Sequence, residues 1–342
     1  MPAPAHILVI RFSAMGDVAM TVPVLKNLLQ QNPHLQITVV SNAFFKPLFS
    51  GLERCHFHPA YLKKEHKGVG GMYRLYKELK ALNLFTAIAD LHGVLRSFNL
   101  RLFFGFAGIP IAAIDKGRKE KKLLTRRENK HLVQLPTSFE RYAVVFRNLG
   151  YTCALKTDEA IFSKQPLPAA AMDFFAGKGK VIGIAPFAQH LQKMYPIQRM
   201  KHVVKALSAA GHSILLLGGG EQEIEELQQW QNEIKGSVFN LAGKFSFAEE
   251  LAIISNLTQM LSMDSANMHL ASLYAVPVIS IWGATHPFAG FYGWAQPIEN
   301  IISIDIYCRP CSTFGNKPCY RGDFACMMQI EENTIIDKIN KL

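Results

Sequence analysis

Continuous apolar runs alternate along the chain with segments whose apolar residues recur every three or four positions. The first run, His6-Ile-Leu-Val-Ile-Arg-Phe12, has the unbroken character of a strand buried on both faces. A polar turn, Ser13-Ala-Met-Gly-Asp17, follows it. Val18, Val22, Leu25, Leu28 and Leu29 then mark one face of a helix that Asn32-Pro33 ends. Pro23 falls early in that helix, where a missing N–H costs least. The alternation predicts a strand at Gln36–Val40, a helix around Met72–Leu82, a strand at Thr86–Asp90 and a helix over Val94–Phe104.

Ser163–Pro168 and the turn Gly177-Lys178-Gly179 read as a linker region. Beyond it the pattern resumes, with strands at Lys180–Ala185, Ser213–Leu217, Gln259–Ser262 and Val278–Ile281. Helices are predicted at Ile197–Ala210, Glu221–Gln231, Phe247–Asn256 and Met268–Tyr274. Strands alternating with helices predict an α/β fold with parallel sheets. We expect two doubly wound domains of similar size, 1–170 and 171–325, facing each other across a cleft. A terminal helix in 326–342 is expected to pack back on the first domain.

Composition narrows the picture. At 342 residues the chain suits about two domains. Its 49% hydrophobic and 18% charged residues exclude a disordered or collagen-like chain. No uninterrupted apolar run reaches 18 residues, so no spanning helix is expected. Met1-Pro-Ala-Pro-Ala-His6 has no basic leader region, and the expected compartment is the cytoplasm. The net charge of +11 suits a polyanionic partner: nucleic acid, an anionic membrane surface or a phosphorylated substrate. Residues 116–130, KGRKEKKLLTRRENK, read as an exposed, mobile basic loop. Six cysteines are too few for a disulfide scaffold.

Several strand ends carry candidate chemistry. In Ser13–Asp17, Gly16 permits a tight turn or a close ligand approach, and Asp17 is either a helix cap or a functional carboxylate. Gly218-Gly219-Gly220, with Glu223 just beyond, suits a phosphate or ribose, or is simply a flexible turn. Asp264-Ser265-Ala266 opens a helix whose first N–H groups suit a diphosphate. Asp264 reads as its N-cap, and His269 lies one turn in, as a ligand contact or a buried histidine. Lys193, in the loop that starts Pro186-Phe187-Ala188, is either a phosphate-binding charge or a solvated lysine. Cys308-x-x-Cys311 with Cys319 and Cys326 reads as reduced thiols, a zinc ligand set or a disulfide. With zinc, the basic surface would suggest a nucleic-acid-binding protein rather than an enzyme.

Taken in order, these segments resemble the ADP-heptose:lipopolysaccharide heptosyltransferase family over almost the whole chain. Ser13-Ala-Met-Gly-Asp-Val-Ala-Met-Thr-Val-Pro-Val-Leu25 is similar to the family's G-D-x-x-x-T-x-P turn. Ala89-Asp-Leu-His-Gly-Val-Leu-Arg-Ser97 resembles its D-x-Q-G-x-x-K/R-S segment, with His92 in place of glutamine. Leu241-Ala-Gly-Lys244, Asp264-Ser-Ala-Asn-Met-His-Leu-Ala271 and Trp282-Gly-Ala-Thr-His-Pro287 resemble the most specific signature, with Ala266 in place of glycine. The cysteine-bearing tail is also similar to that of many members.

The resemblance implies the GT-B architecture, two Rossmann-like domains, and inverting, metal-independent glycosyl transfer. It implies Asp17 as general base, and Ser13, Met15, Gly16, His92 and Arg96 at the acceptor. It implies Pro186, Phe187, Ala188, Lys193, Gly219, Glu223, Asp264, Ser265, Ala266 and His269 at the donor. No cofactor is implied beyond a nucleotide sugar, ADP-heptose. The implied acceptor is the anionic lipopolysaccharide inner core, met by a protein peripheral to the cytoplasmic face of the inner membrane, with no nucleic-acid partner. Another nucleotide sugar and acceptor on the same fold is the nearest alternative.

Overall fold

The computed structural model describes residues 5–82, 85–177 and 179–342. Met1–Pro4 of the leader reading and Lys178 of the linker turn lie outside the described residues. The chain divides into two compact units: Met1–Arg118 with Pro136–Thr157, and Lys119–Leu135 with Asp158–Leu342. The partition therefore differs from a single boundary near residue 170, because residues 119–135 fold with the second unit.

The first unit is built from β1 (Ala5–Ile10), α1 (Met15–Ala19), α2 (Thr21–Gln31), β2 (Leu35–Ser41), β3 (Cys55–Pro59), α3 (Gly68–Leu82), β4 (Ala87–Asp90), α4 (Leu95–Gly105) and β5 (Ile111–Ala113). After α5 (Arg118–Leu124), which leads into the second unit, comes α6 (Ser138–Asn148). The single helix expected after the first turn divides at Met20 into α1 and α2. Sequence reading missed β3, β5 and α6, whose short or mixed patterns give weak periodicity.

The sheet order is β3-β2-β1-β4-β5, and every recorded pairing is parallel. The chain runs outward from β1 to β3, then returns to the other side of β1 as β4. This reversal makes the β1/β4 boundary a topological switch point, and right-handed crossovers then place helices on both faces. Ile10 pairs in register with Asp90, so the loops after β1 and β4 leave the sheet side by side. Leu8, Ile10, Phe12, Met72, Leu75, Ile88 and Leu100 fill the core beneath them.

The second unit repeats the plan. It comprises β6 (Val181–Ala185), α7 (Ile197–Ala209), β7 (Ser213–Leu216), α8 (Glu221–Glu233), β8 (Val238–Asn240), α9 (Phe247–Asn256), β9 (Gln259–Met263), α10 (Ala266–Ser272), β10 (Val278–Ile281), β11 (Ile301–Ile302), α11 (Ala325–Met328) and α12 (Glu332–Lys341). The order β11-β10-β9-β6-β7-β8 puts the reversal between β6 and β9, with Ala185 in register with Ser262. Helix α9 starts on a reciprocal cap: the Ser246 N–H donates to the Glu249 carboxylate at 2.8 Å, and the Glu249 N–H donates to Ser246 Oγ at 3.4 Å.

The terminal helix α12 buries Ile335 and Ile339 in this unit's core, with Met200, Leu207 and Trp230. Lys180 Nζ donates to the Ile339 carbonyl at 2.9 Å, which ties the helix end to the start of β6. The helix expected to pack on the first domain is thus built into the second. The basic segment 116–130 is not a free loop either. Residues 118–124 are helical, and Lys121, Leu124 and Thr125 are buried. Leu124 and Leu135 share an apolar cluster with Ala289, and Lys121 Nζ lies 4.4 Å from the centre of the Phe291 ring. Among the described residues no helix is long and apolar enough to cross a membrane.

Candidate active site

The candidate residues gather at the two switch points, where open α/β sheets place ligands. In the first unit the strand core ends at Arg11, a residue that sequence reading passed over within the first strand run. Its guanidinium is buried, donates to the Leu91 carbonyl at 2.7 Å and pairs with Asp17 Oδ2 at 2.5 Å. The two halves of the switch point are thereby tied together, since Leu91 follows β4 and Asp17 follows β1. The Asp17 side chain is 35% exposed while that of Arg11 is 7% exposed. The carboxylate is therefore the partner that faces outward.

Asp17 lies in α1 and also accepts from the Ala14 N–H at 3.4 Å, so the helix-cap reading holds alongside the ion pair. Gly16 is likewise a helical residue of α1. Ser13 is exposed and Met15 half-buried beside it. The buried Tyr142 hydroxyl reaches the Asp17 carbonyl at 3.5 Å, and the Arg11 guanidinium lies 5.8 Å from the centre of its ring. Burial pushes the Tyr142 phenol well above its ordinary range. The phenol stays protonated at neutral pH.

Asp90 ends β4 fully buried, and its Oδ1 accepts from the N–H groups of His92 and Gly93, each at 2.9 Å. This side-chain turn needs the positive φ of 58° at Gly93, which glycine adopts without strain. It seats His92 over the end of β1, where Nδ1 accepts from the Phe12 N–H at 3.4 Å. Burial first, then the positive charges of Arg11 and Lys116, lower the His92 pKa to about 3, against an opposing effect of Asp17. A neutral imidazole thus stands where the resembled family carries a neutral amide. Arg96 is exposed at the start of α4, close enough to add to the same positive field. One outward carboxylate in a cationic surround suits an anionic partner whose proton must be removed.

The second switch point reverses the roles. Lys193 Nζ pairs with Asp264 Oδ2 at 2.9 Å, and Thr285 Oγ1 donates to the same oxygen at 2.8 Å. The Asp264 side chain is only 6% exposed and that of Lys193 15%, so here the cation is the more outward partner. Asp264 does not cap α10. Ser265 takes the N-cap position, its Oγ 3.0 Å from Ser262 Oγ, and Ala266 is the first helical residue. His269 is buried.

On the other flank of β6, the Gly219 N–H donates to Glu223 Oε2 at 2.8 Å. Gly220, at φ 93°, turns the chain into α8. Phe187 and Ala188 pack half-buried against the core below, after the buried Pro186. A Cβ at Gly218 would stand 3.4 Å from the Phe187 ring and 3.2 Å from Glu223 Oε2. The structure brings Phe187, Glu223 and the glycine turn together on one side of β6, and Lys193, Asp264 and Thr285 on the other.

Thr285 and Arg11 were missed as site residues. The first is one hydroxyl in a loop. The second is signalled only by a charge at the end of a buried strand. The cysteine tail borders the same unit: Cys308, Cys311, Cys319 and Cys326 are free thiols lining a small pocket with Arg309 and Gln192. Burial raises the Cys326 pKa to about 11. Among the described residues no three His, Cys, Asp or Glu side chains are placed to hold a metal ion.

Comparison with known proteins places the chain. Residues 72–318 match the model of glycosyltransferase family 9 (heptosyltransferase). The lipopolysaccharide core heptosyltransferase OpsX of Haemophilus influenzae is 24% identical, covering 99% of this chain and 97% of that protein. Lipopolysaccharide heptosyltransferase 1 of Pseudomonas aeruginosa is 22% identical over 90% and 86%. In structure the chain resembles a family 9 glycosyl transferase from Veillonella parvula, with a TM-score of 0.78 and 19% identity over 98% and 96% of the two chains. Escherichia coli heptosyltransferase WaaC with ADP matches at 0.68 and 20% identity over 98% and 99%. The shared fold is the GT-B architecture that the sequence resemblance implies, and the match decides between a transferase and a zinc-dependent nucleic-acid binder. The chain belongs to glycosyltransferase family 9, the heptosyltransferases, and is a glycosyltransferase.

Proposed function

We propose that the chain transfers heptose from ADP-heptose to the lipopolysaccharide inner core with inversion, at the cytoplasmic face of the inner membrane. The observation that carries the reading is the opposite polarity of the two switch-point ion pairs, with the carboxylate outward in the first and the ammonium outward in the second. Glycosyl transfer to a hydroxyl needs both. A base takes the proton from the attacking oxygen, and a cation stabilises the charge growing on the departing diphosphate.

Asp17 accepts the acceptor hydroxyl's proton as that oxygen bonds to the sugar's anomeric carbon. The bond from that carbon to the diphosphate breaks, and ADP leaves with the electron pair. Arg11 fixes the carboxylate from beneath, while Asp264, itself held by the Thr285 hydroxyl, holds Lys193 towards the diphosphate. Glu223 and the glycine turn accommodate the ribose. Arg96 and the cationic surround of His92 attract the anionic core sugar. Relatives named as lipopolysaccharide heptosyltransferases and the fold of an ADP-bound one support this choice of donor and acceptor.

The test is transfer with purified protein. ADP-heptose and a heptose-deficient core acceptor are to yield one product of inverted anomeric configuration. UDP-, GDP- and CMP-sugars are to leave the melting temperature unchanged while ADP-heptose raises it. Thermal stabilisation by another nucleotide sugar, with no transfer from ADP-heptose, would overturn the donor assignment.

A further inference from the structure

Helix α4 follows directly from the turn that carries His92. It buries Ser97, Leu100 and Phe104 against the core of the first unit. The opposite side should be polar for a helix at a water-facing surface. It is not. Leu95 is 75% exposed, Phe98 46%, Leu102 42% and Phe106 82%. At about 100° per residue these four fall within an arc of about 80°, on the side away from the buried residues. The backbone of Phe106 continues the helix, its N–H donating to the Leu102 carbonyl at 3.2 Å, so the stripe is one surface.

The patch continues across the packed pair of helices. Phe103 meets the edge of the exposed Tyr73 ring at 5.3 Å, and Val69, one turn before Tyr73 on α3, is 62% exposed. Single exposed apolar residues are ordinary, but a contiguous, solvent-facing set this large marks an interaction surface.

Charge selects its occupant. On α4, Arg96 is exposed on one flank of the stripe, Arg101 on the other flank lies over the Phe98 ring and pairs with the buried Asp90 at 3.5 Å, and that helix has no acidic residue. On α3, Arg74, Lys77 and Lys80 are exposed, and Lys77 Nζ lies 5.0 Å from the centre of the Tyr73 ring. The one carboxylate of α3, Glu78, is engaged by His58 at 3.3 Å and His66 at 3.2 Å. An apolar strip rimmed by cations is the pattern of a helix lying in a lipid interface, with side chains among the acyl chains and cations at anionic headgroups.

We infer that the α3–α4 face docks the protein onto an anionic bilayer surface, with Leu95, Phe98, Leu102 and Phe106 entering the interface. Because α4 begins where the His92 turn ends, docking brings the first switch point to the membrane. The inference deepens the proposed function, resting on it only for the lipid-anchored acceptor.

Flotation of the full-length protein with phosphatidylcholine vesicles, with and without phosphatidylglycerol, tests it in the absence of donor and acceptor. Binding is expected to the anionic vesicles and to weaken as salt rises about tenfold. The double variant L102S/F106S and, separately, Leu95→Gln are expected to lower vesicle partitioning about tenfold or more. Unchanged melting temperature and unchanged transfer to a deacylated, water-soluble acceptor would exclude misfolding as the cause. Wild-type protein that ignores anionic vesicles, or variants that bind them as well as wild type, would overturn the inference. So would a dimer seen by sedimentation that the double variant dissociates while vesicle binding stays unchanged. Absence of transfer to any core acceptor would sink the proposed function and leave the vesicle result standing, so the two failures are distinguishable.

Discussion

The two switch points share a topology and differ in which charge they bury. In the first, a nearly buried arginine supports a partly exposed aspartate; in the second, a nearly buried aspartate supports the more outward lysine. Desolvation is costly for either ion, so each is buried only with its partner in place. The partner left outward sets what the site offers a ligand. The same βα plan thus turns a carboxylate outward in one unit and an ammonium outward in the other, the two charges that the proposed transfer uses. Fold alone does not distinguish them; the buried member of each ion pair, Arg11 in the first and Asp264 in the second, does.

The sharpest way to break this contrast is Asp17→Asn, which keeps shape and removes the basic oxygen. Turnover should fall by about a hundredfold or more, with donor KM nearly unchanged, the range for losing a positioned base. Near-normal turnover would reduce Asp17 to a helix cap. Lys193→Ala should act on the other half of the reaction, raising donor KM by about ten- to a hundredfold, as expected for a lost charge-assisted bond. A change confined to acceptor KM would place Lys193 on the wrong side of the comparison.

His92→Gln sharpens the picture of the first site through pH. The fold lowers the His92 pKa from 6.5 to about 3, so the neutral ring is the form the fold favours. Its contribution to stability is full above pH 6.5 and is lost as pH falls from there towards about 3. Relative to the glutamine variant, the wild type should lose about 2 kcal/mol between pH 7 and pH 5, read from denaturant unfolding of the two proteins. Parallel curves would show that the ring is solvated. The smallest effect is expected of Glu223→Gln, whose amide oxygen still accepts from the Gly219 N–H. Donor KM should rise about two- to threefold, and a larger loss would give that carboxylate a charge-dependent role at the ribose.

Much of this was legible in the chain itself. Unbroken apolar runs at residues 7–10 and 181–185 announce parallel strands, because a strand covered on both faces has no polar side to show. The turns that follow β1 and β9, Ser13–Asp17 and Asp264–Ala266, stand out as candidate sites because open α/β sheets place ligands at strand ends. Short strands such as β5 and β8, three residues each, carry too little periodicity to be found this way.

What tertiary structure alone decided is pairing and allegiance. That Arg11 ties the β1 turn to Leu91 after β4, that Asp264 grips Lys193 rather than capping its helix, and that residues 119–135 and α12 fold with the second unit all depend on contacts between residues distant in sequence. Local pattern records which side chains avoid water. It does not record which neighbour each one meets, because that follows from strand order and register, and those are set only when the sheets assemble.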